Sequence, residues 1–185
     1  MAHQRREGGF SLLEILLVVL LTATILAIAV PGIESALGTY RLRNAVDDIY
    51  SQIGMARMRA IGDFAHARLV CSPATNSCQI DLQKEGGSYE PEGGDVYLPS
   101  GVSFGFGSIA NGAGNQSAGA PAQDLTIYFN SRGIPIDSTG ANYVSDYVIY
   151  LQSTADQRYY AIGIAADGKP SIYRYGAGSW VMETE

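Results

Sequence analysis

Apolar and polar positions divide the chain into three regimes. From Phe10 to Val30 nearly every residue is apolar or small. A helix of that length rises about 30 Å, the thickness of a hydrocarbon core, whereas the apolar part of a secretory signal runs only about 7–15 residues. Beyond it, Leu42, Val46, Ile49, Ile53, Ala56 and Ala60 recur at alternating spacings of 4 and 3, the period of one buried helix face. Arg41, Arg43, Asp47, Asp48, Arg57 and Arg59 fall mostly off that stripe. The pattern predicts one long helix from about Ser11 to Ile61, apolar all round in its first half and amphipathic in its second. Pro31 and Gly32 mark the join, and a kink is expected at Pro31.

From Ala65 onward the period changes to that of strands. "ARLVCS" and "CQIDLQ" read as two strands joined by "PATN". Further strands are expected at "DVYLP", "VSFGF", "DLTIYFN", "YVIYLQ", "YYAIGIA", "PSIYRY" and "SWVM". "SRGIP" and "ADGKP" carry turn chemistry. Residues 86–94, within "KEGGSYEPEGG", and residues 105–123, which hold "GSIANGAGNQSAGAPAQ", are rich in Gly and read as loops, the second as a mobile one. The predicted architecture is α+β, a long N-terminal helix on an antiparallel β domain of two sheets.

Charge changes the picture at one position. Glu14 sits inside the apolar run, and a carboxylate at mid-membrane costs roughly 2.5–3.5 kcal/mol. Either it lies near the interface or it has a partner. Arg5 and Arg6 precede the run, so the positive-inside rule leaves the N-terminus cytoplasmic and sends the domain outside, although Arg41 and Arg43 beyond the run weaken the asymmetry. The orientation puts Cys71 and Cys78 in an oxidising compartment. Six residues separate them across a predicted hairpin, where facing positions suit a disulfide; two buried thiols are the alternative.

Composition excludes more than it assigns. Formal charge is −6 over 185 residues, and without Met1–Gly9 it is −7, so the overall field does not draw nucleic acid. Arg158, Lys169 and Arg174 lie among Tyr173, Tyr175 and Trp180, a mixture found in single-strand binders, and mark a weak candidate contact for DNA or a partner. Core or cross-strand packing is the commoner use of such aromatics. The acidic cluster Glu85, Glu90, Glu92 and Asp95 lacks EF-hand spacing and reads as a solvated loop. His66 is the sole histidine beyond the first nine residues, which with two cysteines makes no convincing zinc site. No G-x-S-x-G elbow or phosphate loop accompanies it, so no catalytic residue, metal or cofactor is expected and the chain does not read as an enzyme. Arg5-Arg6 lack the other residues of a twin-arginine signal. Ala27-Ile28-Ala29 has the form of a signal-peptidase site, against which the overlong apolar run and Glu14 both argue.

Taken together, "REGGFSLLEILLVVLLTATILAIAVPG" resembles the N-terminus of a type IV prepilin. A short charged leader ends in Gly9, Phe10 follows, Glu14 is then fifth, and Pro31 falls at position 22 counted from Phe10. "IYFNSRGIP" and "YAIGIAADGKPSIYRY" resemble the turn and the closing hairpin of the GspH/FimT branch of minor pseudopilins and minor pilins. That branch often carries Arg in the final turn, where this chain has Gly168-Lys169-Pro170.

The resemblance implies a pilin-like fold and a structural role. It implies cleavage between Gly9 and Phe10 by a membrane prepilin peptidase, which also N-methylates Phe10. It further implies that Glu14 neutralises the terminal amine of a neighbouring subunit, since a paired charge in low dielectric offsets much of its desolvation cost. The implied organisation is a leader at 1–9, a transmembrane and filament-core helix at 10–31, an amphipathic helix at 32–62 and a periplasmic β-rich domain at 63–185. The implied partners are other pilins or pseudopilins in a filament tip, the peptidase, an inner-membrane assembly platform and exported proteins. The acidic balance and the weakly basic final turn favour a type II secretion pseudopilin. A minor type IV pilin for pilus assembly, twitching or DNA uptake, and a membrane-tethered binding domain that never polymerises, are the alternatives.

Overall fold

The structure is a computed structural model that describes residues 11–117, 119–143, 146–155 and 157–183. Helix α1 spans Leu12–Gly62, within a residue of the expected ends, and its helical assignment is unbroken through Pro31 and Gly32. The chain divides into two compact units, Met1–Leu37 and Gly38–Glu185.

In the first unit the apolar side chains of α1 are exposed, from Leu12 at 82% to Ile28 at 81%. An 18-residue window of α1 reaches a mean hydropathy of 2.7, so the helix is long and apolar enough to cross a membrane. Thr22 and Thr24 donate their hydroxyls to carbonyls one turn back, which removes the cost of two polar groups on an apolar surface.

In the second unit the predicted stripe of α1 is buried at every position from Leu42 to Ala60, joined by Ala45. It packs on two antiparallel sheets. The first contains β1 (Ala67–Ser72), β2 (Ser77–Gln83), β3 (Tyr89–Pro91), β4 (Val96–Tyr97), β6 (Thr126–Phe129) and β7 (Pro135–Ile136), in the order β3-β2-β1-β6-β7 with β4 also on β2. The second contains β5 (Val102–Phe104), β8 (Tyr147–Ser153), β9 (Tyr159–Ile164), β10 (Pro170–Gly176) and β11 (Ser179–Met182), in the order β11-β10-β9-β8-β5. Alternate residues of both sheets, such as Leu69, Ile80, Ile127, Ile149 and Ile162, meet the helix stripe in one core.

Cys71 faces Cys78 in the β1–β2 register, and the two form the expected disulfide within that core. Two strands escape the sequence pattern. β3 lies in the stretch read as loop, and β7 is two residues long. Both contain proline and both lie at a sheet edge, where a missing N–H costs no ladder bond.

The first sheet alternates in burial, as in β1, but β8 is buried on both faces. The reason is the Gly-rich stretch after β5, which is not a free loop. Its described residues fold over the outer face of the second sheet and form a second small core with Val148, Tyr150 and Ala161. The Tyr150 hydroxyl accepts from the Ala113 N–H at 3.0 Å and donates to Gln116 Oε1 at 2.7 Å. The Trp180 indole N–H donates to the Asn111 carbonyl at 2.7 Å. Buried aromatic surface and side-chain hydrogen bonds hold these described residues against the sheet.

Candidate functional site

Two regions carry the predicted site residues. The first is the start of α1. The Ser11 carbonyl accepts the N–H groups of Glu14 and Ile15 at 3.0 and 3.2 Å, which sets Glu14 in the first turn. A carboxylate there also favours the positive end of the helix dipole, a local role that the sequence reading left out and that "SLLE", in the form of a capping box, signals. Glu14 is exposed among apolar neighbours. The expected cleavage point, Gly9 and Phe10, lies outside the described residues.

The second region is the closing hairpin, β9 to β11, with the α1 residues beside it. Arg57 projects from the amphipathic half of α1 and donates to the carbonyls of Gly168 and Asp167 at 3.1 and 3.2 Å. Gly168 has φ +79°, and a Cβ there would lie 2.7 Å from the Gly133 carbonyl oxygen. "SRGIP" and "ADGKP" therefore meet over one arginine, one turn from each sheet. Sequence marked both turns but not their partner, because Arg57 looked like an ordinary charge off the buried stripe.

The three candidate cations are spread over both ends of the hairpin, with Arg158 and Arg174 near one end and Lys169 at the other. Arg158 lies between β8 and β9 and bonds to Thr39 of α1. Lys169 lies in the turn at the far end of β9, five residues or roughly 16 Å of strand from Arg174. Arg174 is 3.6 Å from Glu183, which also pairs with Arg43, itself 3.5 Å from Asp47. Two arginines and two carboxylates thus neutralise one another where α1 meets the end of the hairpin. The nearby aromatics, Tyr175, Trp180 and Tyr150, pack at centroid distances of 5.2 and 5.5 Å, as cross-strand and interior partners do.

Charge elsewhere is likewise spent on structure. Arg68 holds Asp81 at 2.7 Å and lies 4.4 Å over the Tyr89 ring on the outer face of the first sheet. The acidic stretch expected as a solvated loop is in part strand β3, and Glu92 within it pairs with Arg59 of α1 at 3.2 Å. Burial pushes the Asp124 carboxyl above its usual range, against the opposing effect of the Val148 N–H that it accepts at 2.7 Å. Burial also pushes the Tyr147 phenol upward, and its hydroxyl donates to the Ile136 carbonyl at 2.6 Å. Among the described residues no cluster of His, Cys, Asp and Glu could hold a metal ion.

The order of elements, one long helix followed by two antiparallel sheets, matches a solved protein. The chain is similar to the minor pseudopilin EpsH from the Type 2 Secretion System of Vibrio cholerae, with a TM-score of 0.50 and 9% identity over 71% of this chain and 95% of that one. The fold is pilin-like. A crystal structure of EpsH also aligns, at a TM-score of 0.45 and 11% identity, over 71% of this chain and 92% of that one. No family model matches the sequence, and no curated protein matches it. Within this fold α1 supplies both an exposed apolar segment and a segment buried in the core.

Proposed function

We propose that this chain is a minor pseudopilin of a type II secretion system, a non-enzymatic subunit near the tip of a periplasmic pseudopilus. The observation that carries the reading is a pilin-like fold whose helix begins with an exposed apolar surface bearing Glu14 in its first turn. In this reading the leader 1–9 is removed between Gly9 and Phe10, and Phe10 is N-methylated. Segment 10–31 first stores the subunit in the inner membrane with the domain in the periplasm. On assembly, the same apolar surface packs against other pseudopilins. Helices gain from such packing and from paired charge rather than from leaving water, since lipid is as apolar as a helix face. Glu14 then meets the terminal amine of a neighbouring subunit, and only a stagger that pairs the two charges avoids an unpaired carboxylate.

The mutual neutralisation of Arg43, Arg174, Asp47 and Glu183 favours this reading over a DNA-uptake pilin, which needs uncompensated cations along a strand. The test is a photo-crosslinker placed on the outer face of the β unit in living cells, with mass spectrometry of the trapped neighbour. A pseudopilin or an exported protein as neighbour supports the proposal. A type IV pilin or pilus adhesin would replace it with the minor-pilin reading, and absence of any pilin-like neighbour would leave a tethered binding domain.

A further inference from the structure

The outer face of the second sheet carries a feature to which the proposed function gives no role. Between the folded-over loop and strands β10 and β11 lies a pocket of about 360 Å³, within the roughly 300–1,000 Å³ range of small-molecule sites. Tyr173 and Trp180 are its aromatic lining, and Asn111, Ser117 and Ser179 are its polar lining.

The walls are held in place before any ligand arrives. The Trp180 N–H is committed to the Asn111 carbonyl, so the indole's orientation is set while its ring borders the pocket. The loop is closed on Gln116, whose side-chain amide exchanges two hydrogen bonds with the Ala122 backbone at 2.9 and 3.1 Å. A Cβ on Gly112 would come within 2.4 Å of Gln116 Cβ, and Gly114 has φ +58° with the Tyr173 hydroxyl 3.2 Å from where its Cβ would stand. Glycine at 114 lets the backbone approach the tyrosine, and glycine at 112 lets the loop close on Gln116.

We propose that this pocket binds one ring of a neutral sugar. Aromatic faces carry partial negative charge and attract the weakly positive C–H face of a pyranose, while hydroxyl and amide groups around them satisfy its hydroxyls. None of the pocket's lining residues bears a formal charge, and burial pushes the Tyr173 phenol further up from a range in which it is already protonated at neutral pH. Asp146, whose charge acts on Tyr173, is hydrogen-bonded to Asn115 and disfavours an anionic ligand. A proline-rich peptide also stacks on aromatic rings, but it takes an extended groove with successive ridges. Here two rings border a single volume.

Trp180 is the single tryptophan of the chain, so tryptophan emission comes from a ring that borders this pocket. The experiment titrates the full chain, held in lipid nanodiscs free of sugar detergent, with maltotriose and with triacetylchitotriose. The expected result is a saturable change in emission with half-saturation at about 1 mM or below for one of them, the weak end expected of a one-ring site. Ser117→Tyr, which places a ring into the pocket from an exposed position, should weaken that binding at least tenfold. Tyr173→Phe, which keeps the packing and removes a hydroxyl, should weaken it less. No saturable change with either sugar, an unaltered response in Ser117→Tyr, or saturation by a proline-rich peptide alone would each overturn the proposal.

Discussion

Arg57 of α1 reaches Gly168 in the turn between β9 and β10, donating to its carbonyl at 3.1 Å and to that of Asp167 at 3.2 Å. The same side chain passes Gly133, where a Cβ would lie 2.9 Å from Arg57 Cγ. One helix residue thus ties a turn from each sheet to the core. Arg57→Ala should cost about 1–3 kcal/mol, the usual loss for charge-assisted hydrogen bonds. Gly168→Ala should cost about 2 kcal/mol, through its left-handed backbone and its clash with the Gly133 carbonyl. Chemical denaturation of the two variants checks both values, and a loss below about 0.5 kcal/mol in each would show that the clamp is ornamental.

The Cys71–Cys78 bond closes a short loop inside the core cluster. Chain-entropy arguments for a loop of this size give about 2–3 kcal/mol. The double variant Cys71→Ser, Cys78→Ser should lose that much and more, because two hydroxyls then replace sulfur in an apolar site. Denaturation with and without reductant separates the contributions: reduction removes only the cross-link.

Asp124 provides a pH signature. Its folded carboxyl is raised by burial, so its protonated form is the one the fold favours. The stability it contributes is complete below the unfolded carboxylate pKa and is lost as pH rises through the elevated folded value. Asp124→Asn keeps an acceptor for the Val148 N–H and cannot ionise. It should therefore gain on the parent between acidic and neutral pH. Equal stability differences at both pH values would contradict this account.

Tyr150 anchors the Gly-rich segment through its hydroxyl. Tyr150→Phe keeps the ring and leaves the Ala113 N–H and Gln116 without that partner. The expected outcome is a loss of about 1–3 kcal/mol and new proteolytic cleavage within 106–123. Unchanged proteolysis would mean that the aromatic packing alone holds the segment.

Under the proposed function, Glu14→Ala should still insert into the membrane, since the change makes the helix more apolar. It should fail to assemble, lowering secretion at least tenfold, whereas Glu14→Asp should retain part of it. Full secretion by Glu14→Ala, measured beside membrane fractionation, would remove the charge-pair argument.

The helix was legible because both its halves are written in local spacing: continuous apolarity to Val30, then a stripe from Leu42 to Ala60 that is buried at each of its positions. Nine strands followed from period-two runs, and the disulfide from two cysteines facing across a short turn. β3 and β7 were not legible, because each holds a proline in a stretch whose glycines read as loop or turn, and each is an edge strand held by hairpin pairing to its neighbour rather than by a pattern of its own.

Sequence by itself determined which residues are apolar and how often they recur, and hence the helix, most strands, the exposed apolar surface and Glu14 within it. Only the tertiary structure decided what the polar residues and glycines do. Arg57 becomes a clamp, Arg174 is neutralised by Glu183, and the loop after β5 becomes a pocket wall. Burial of an amphipathic element depends on spacing within one segment, which the chain carries locally. A hydrogen bond between residues 111 positions apart depends on where two segments meet, and that is set by the packing of the whole core.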